Sequence, residues 1–165
     1  MNDPAPRRYL VNCGLLLLPI FIWNAALTRF LPPALARTEF WRDIPAALNY
    51  SENAFRLMVL VLPFFMPLEL KSAPQRRGLV VFGIGVLLYF GAWAALILAP
   101  RSSWAGSGVG FLAPALTPLI WLLGLALLGQ RLYFGRFYRW WMFLLPTAGF
   151  IALHVAHAAM VYGRR

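Results

Sequence analysis

Five long apolar runs, at about 9–31, 45–70, 78–98, 109–128 and 140–162, divide the chain, with short polar or basic stretches between them. Each is close to the ~20 residues that a helix needs to cross a bilayer. The runs are continuous rather than alternating, which favours helices over barrel strands. The pattern predicts an all-α polytopic membrane helix bundle of about five transmembrane helices, forming a single integral membrane domain over 1–165.

The second run opens on the densest polar stretch of the chain, Asn-Tyr-Ser-Glu-Asn-Ala-Phe-Arg at 49–56. On a helix, Asn49, Glu52, Asn53 and Arg56 fall at i, i+3, i+4 and i+7, which is one face. A polar stripe at the mouth of a span costs free energy unless it meets partners or water. Ahead of it, 32–44 mixes Arg37, Glu39, Arg42 and Asp43 with Phe40 and Trp41. That mixture predicts a short interfacial segment before the second helix. Asp43 followed by Pro45 reads as the helix start. Pro63 and Pro67 predict a kink near its far end.

The stretch 71–77 reads as a short basic loop, 100–110 as a flexible Ser/Gly connection, and 130–139 as a basic, aromatic loop. Pro114 and Pro118 are expected to free a backbone carbonyl and open a local cavity, with Thr117 and Trp121 beside it. Arg7-Arg8 ahead of the first run, and Ala34-Leu35-Ala36 after it, also fit a cleaved signal peptide. The run is longer than a usual signal core and contains Trp23 and Asn24, so retention as a first span is the working reading.

Composition sharpens the class. The chain is 61% hydrophobic and 12% charged, whereas soluble domains carry about 25% charged residues. Too little polar surface remains to cover a water-soluble globule. The net charge of +10 raises nucleic acid as a partner, but the basic residues lie in short clusters between apolar runs. Membrane lipids with anionic head groups are the expected partners, not nucleic acid. A homo-oligomer or a membrane partner subunit would suit so small a bundle. The single Cys13 permits no intrachain disulfide. The basic residues are nearly balanced between the two sides. The compact second and fourth loops and Arg7-Arg8 favour a plasma (inner) membrane protein with a cytoplasmic N-terminus.

Parity concentrates the candidate chemistry. Odd-numbered spans run one way and even-numbered spans the other. Asn24 near the end of the first span, the stripe opening the second, and His154 and His157 late in the fifth therefore share one membrane face. Glu52 and Arg56 form an i, i+4 pair in the favourable order. His154 and His157, at i, i+3, stand on one face of their helix. With Glu52 they make a conceivable divalent-metal set, and alone a conceivable haem-ligand pair. The competing roles are proton transfer at Glu52, His154 or His157 and plain helix pairing.

The expected function is binding of a small polar or lipid-headgroup ligand, for transport or membrane-embedded chemistry, with Asn24, Asn49, Asn53 and Arg56 as ligand-binding residues. The alternative is a non-catalytic scaffold or accessory subunit whose polar residues only pair helices, as interhelical amides do. No catalytic triad, nucleotide loop or paired aspartates point to a particular reaction.

Overall fold

The computed structural model describes residues 10–134 and 138–165. Arg7, Arg8 and Tyr9, and Arg136 of the fourth loop, lie outside the described residues. The protein is an all-helical membrane bundle. Its principal helices are α1 (Leu18–Leu27), α2 (Arg37–Phe40), α3 (Ala46–Val61), α4 (Ala73–Leu98), α5 (Ser103–Gly106), α6 (Gly108–Leu116), α7 (Pro118–Leu128) and α8 (Trp140–Tyr162).

Among the described residues, four helical stretches are long and apolar enough to cross a membrane: Cys13–Phe30, Ala73–Leu98, Gly108–Leu128 and Trp140–Tyr162. The second apolar run differs from the expected full span. Its α-helix has 16 residues, about 24 Å at ~1.5 Å per residue. It tightens into the 3₁₀ turn Leu62–Phe65 around Pro63, where the kink was expected.

Contacts at the two ends fix the path of the chain. At one end, the Cys13 amide donates to the Met66 carbonyl at 2.8 Å and the Tyr133 hydroxyl to the Val11 carbonyl at 3.0 Å. At the other end, the Tyr162 hydroxyl donates to the Gly106 carbonyl at 3.2 Å, and Arg164 donates to the Arg42 carbonyl. The first helical stretch, α3, α4, α6–α7 and α8 thus run alternately between the ends. The outward faces suit lipid: Ile22, Leu57, Val80, Leu87 and Leu145 are 60–71% exposed, far more apolar exposure than water would tolerate in a contiguous surface.

The core is held by small residues as much as by large ones. A Cβ on Gly85 would collide with the Trp121 backbone nitrogen, and one on Gly124 with the Phe82 backbone. Helices α4 and α7 therefore pack backbone to backbone, the close approach that glycine permits in membrane bundles. Leu122, Leu125 and Leu128 of α7 and Phe143 of α8 fill the buried interior.

Three local expectations need correction. Asp43 does not cap α3: Pro45 is the N-cap and makes no side-chain bond. Asp43 instead sits at φ 53°, a left-handed turn that Asp tolerates better than most residues. The stretch 71–77 is not all loop, because Ser72 and Gln75 form a reciprocal capping box that starts α4 at Ala73. The Ser/Gly stretch is ordered by two caps. Ser102 accepts from the Ala105 amide and Ser107 from the Gly110 amide, each at 3.1 Å.

Candidate functional site

The polar stripe of α3 does not act as one unit. Its four residues span an arc of roughly 100° at about 100° per residue, and the bundle divides that arc. Glu52, on one flank, is fully buried against α8. Asn49 and Asn53, toward the other flank, line an open cavity. Arg56 stands between and touches both sides.

Glu52 is the meeting point of three donors. Its Oε1 accepts from His154 Nδ1 at 2.8 Å and from the Arg56 guanidinium, and its Oε2 pairs with His157 Nδ1 at 2.6 Å. Three partners suit a buried carboxylate, whose lone pairs are costly to leave empty. The i, i+4 spacing brings Arg56 to it from its own helix. The i, i+3 spacing brings both imidazoles from α8, so the hydrogen bonds also pin α3 to α8.

His157 permits a proton count. Its Nε2 lies 2.8 Å from the Phe40 carbonyl, which only accepts, so Nε2 carries a hydrogen. Its Nδ1 faces a carboxylate oxygen. One further proton therefore lies between His157 and Glu52, as imidazolium–carboxylate or as its neutral tautomer. The ring is also enclosed by Phe40, stacked at 4.1 Å, and by Trp41, edge-on at 4.6 Å. The short helix α2 thus serves as the cover of the cluster, where an interfacial segment was expected.

These contacts define hydrogen bonding rather than metal ligation. Both Nδ1 atoms are engaged by the carboxylate, and at 2.6 and 2.8 Å no ion fits between the partners. Among the described residues no group of three His, Cys, Asp or Glu side chains is arranged to hold a metal. His154, His157 and Glu52 do meet, but not in the geometry of the metal set considered above.

Beside the cluster lies a cavity of about 900 Å³. The polar side chains in its wall include Asn24, Asn49, Asn53, Arg56, His154 and Arg37. The apolar and aromatic ones include Ile20, Leu60, Trp93, Trp121 and Phe150. Pro114 and Pro118 line it where the fourth run breaks into α6 and α7. Trp121 lines it too, while Thr117 turns away and bonds the Ala113 carbonyl at 2.8 Å. A second, mostly apolar cavity of about 160 Å³ shares Leu35, Tyr89, Trp93, Pro114 and His154 with the first.

The charges on the wall are one-sided. Among the described residues, Arg37 and Arg56 line the cavity and no Asp or Glu does. The Arg37 guanidinium has no partner among the described residues. Arg56 donates to Asn53 Oδ1 at 3.0 Å and stands 5.5 Å from the Trp41 ring and 5.6 Å from the Phe150 ring. The aromatic faces steady the guanidinium, whose charge is also paired with Glu52. Asn53 in turn donates to the Asn49 carbonyl at 2.9 Å. Asn24 accepts from the Tyr89 hydroxyl at 2.7 Å, so this amide does tie two helices together.

Four contributors were not singled out from the sequence as site residues: the Phe40 carbonyl, Trp41, Tyr89 and Arg37. The mixed charge and aromatic residues of 37–43 were the one visible signal. Tyr89 looked like any apolar-run residue. No family model matches the chain, and no curated protein or solved structure matches it.

Proposed function

We propose that this multi-pass membrane protein binds the anionic head group of a membrane lipid in the cavity between α1, α3, α4 and α8. The observation that carries this reading is the lining itself: two arginines, a histidine and three asparagines together with many apolar and aromatic side chains and, among the described residues, no carboxylate. Guanidinium groups match phosphate oxygens in charge and geometry. The apolar wall suits the chain that follows the head group, as in ligand pockets with a few convergent polar groups. The cavity runs inward, as far as Ile20 and Leu60, from the end of the bundle where α3 begins and α8 finishes, the expected level of head groups on one membrane face. A plasma (inner) membrane with a cytoplasmic N-terminus remains the favoured setting, on the loop charges already described.

The scaffold reading draws on a separate observation. The Glu52 cluster and the Asn24–Tyr89 bond at 2.7 Å join helices without any ligand. Native mass spectrometry separates the two. Purified protein is offered phosphatidylglycerol, phosphatidylcholine and glycerol phosphate at equal concentration. Lipid binding predicts preferential retention of phosphatidylglycerol, weakened in Arg56→Gln and in Arg37→Gln. Equal retention of both lipids supports the scaffold, and tighter retention of glycerol phosphate would assign the cavity to a soluble ligand instead.

A further inference from the structure

His154 presents one nitrogen to the cluster and has another to spare. Its Nδ1 lies 2.8 Å from Glu52 Oε1, so Nδ1 carries the hydrogen and donates it. One ring face stacks on Phe150 at 5.2 Å and 13°, and Phe40 lies tilted at 6.2 Å. The side chain is 21% exposed and lines both cavities. What remains accessible is the edge bearing Nε2, which has no hydrogen-bond partner among the described residues.

The groups around the ring frame what Nε2 meets. Glu52 serves Arg56 and His157 as well as His154, so one negative charge faces a guanidinium and the proton shared with His157. Arg37 adds a further positive charge from α2, while Tyr89 of α4 contributes a neutral phenol. With Nδ1 donating to Glu52 Oε1, Nε2 is the ring nitrogen left for the cavity, and in the neutral ring it offers a lone pair. The arginines and tryptophans of the cavity wall are donors only, so among the described lining residues Nε2 is the ring nitrogen able to take a donor.

We propose that the cavity selects an anionic phosphodiester lipid whose head group carries a hydroxyl, with the phosphate at Arg56 and Arg37 and the hydroxyl donating to His154 Nε2. This rests on the lipid reading above and adds the head-group class. A head group without a hydroxyl leaves Nε2 unpaired in a partly dry site, and sites built to hydrogen-bond a hydroxyl reject analogues that lack it.

The experiment compares two short-chain lipids of equal charge, dioctanoyl phosphatidylglycerol and dioctanoyl phosphatidylmethanol. Their affinities are measured by calorimetry on the detergent-solubilised full chain, with dioctanoyl phosphatidylcholine as reference. The glycerol lipid is expected to bind roughly tenfold more tightly than the methyl lipid, the scale of one hydrogen bond to a desolvated acceptor. In His154→Phe, which keeps an aromatic ring against Phe150, the two should bind alike. Equal affinities in the wild type would overturn the hydroxyl assignment while leaving the anion site intact. Both anionic lipids binding no better than the phosphatidylcholine reference would overturn the anion site itself, and the inference with it. The wild-type comparison stands even if the variant fails to fold.

Discussion

Replacing Glu52 separates the roles of charge, shape and hydrogen bonding in the cluster. Glu52→Ala removes the acceptor of three donors at a site with no solvent exposure. Arg56 is 28% exposed and can turn toward the cavity, so its lost bond counts for little, as exposed pairs do. His157 is fully buried and cannot. It keeps Phe40 through Nε2 and is left with an unpartnered Nδ1, a loss of ~1–3 kcal/mol. The lost His154 bond and the vacated volume bring the total to ~3–5 kcal/mol, the range for breaking a buried pair.

Glu52→Gln should cost far less, ~1–2 kcal/mol. Its amide oxygen accepts from His154 and Arg56, and its NH₂ donates to the lone pair of neutral His157, whose Nε2–H still reaches Phe40. Arg56→Gln should cost about 1 kcal/mol, because both imidazoles still serve Glu52. At ~2–4 °C per kcal/mol for a chain of this size, detergent melting should drop by roughly 6–20 °C for Ala and 2–8 °C for Gln. Equal losses for Ala and Gln would refute the hydrogen-bonded cluster. A larger loss for Arg56→Gln than for Glu52→Ala would show that Arg56 alone holds the carboxylate.

Further outcomes follow from the same contacts. His157→Phe, which strands Glu52 Oε2 and the Phe40 carbonyl, should cost ~2–4 kcal/mol by the same melting assay, more than His154→Phe, whose nitrogen edge borders the cavity. Gly124→Leu should separate α4 from α7 and cost at least ~1–3 kcal/mol, whereas substitution at Gly83, which faces open space, should leave the melting point nearly unchanged. Reporter fusions at residues 1 and 165 should report opposite sides of the membrane, because the helical passes alternate; the same side for both would mean that α3 does not cross.

The bundle was legible from the apolar runs because lipid demands long continuous helices, and that demand is written locally. The breaks within the runs were less so. The first stretch begins as a 3₁₀ segment at Cys13–Leu17 and ends as another at Thr28–Phe30, although Pro19 and the Pro32-Pro33 pair stand close to those two limits. α4 starts earlier than the apolar pattern because Ser72 and Gln75 cap it from inside a basic loop. In the site, alternating direction alone placed Asn24, the α3 stripe and the two histidines at one level. It could not say that Glu52 would turn to α8 while Asn53 turned to the cavity, since that depends on which neighbour fills each flank. Nor could it supply the Phe40 carbonyl, a backbone atom that every residue possesses.

A phosphate-bearing head group bound as proposed would lie against α2, the first part of α3 and the middle of α8, and photo-crosslinking reads that position directly. A phosphatidylglycerol analogue with a diazirine on its glycerol head is added to the purified protein, irradiated, and mapped by peptide mass spectrometry. Adducts are expected within 37–41, 49–56 and 150–154, and they should fall in competition with unlabelled phosphatidylglycerol but not with phosphatidylcholine. Adducts spread over the exposed outer surface, at residues such as Leu57, Leu87 and Leu145, without competition, would contradict a head-group site in the cavity.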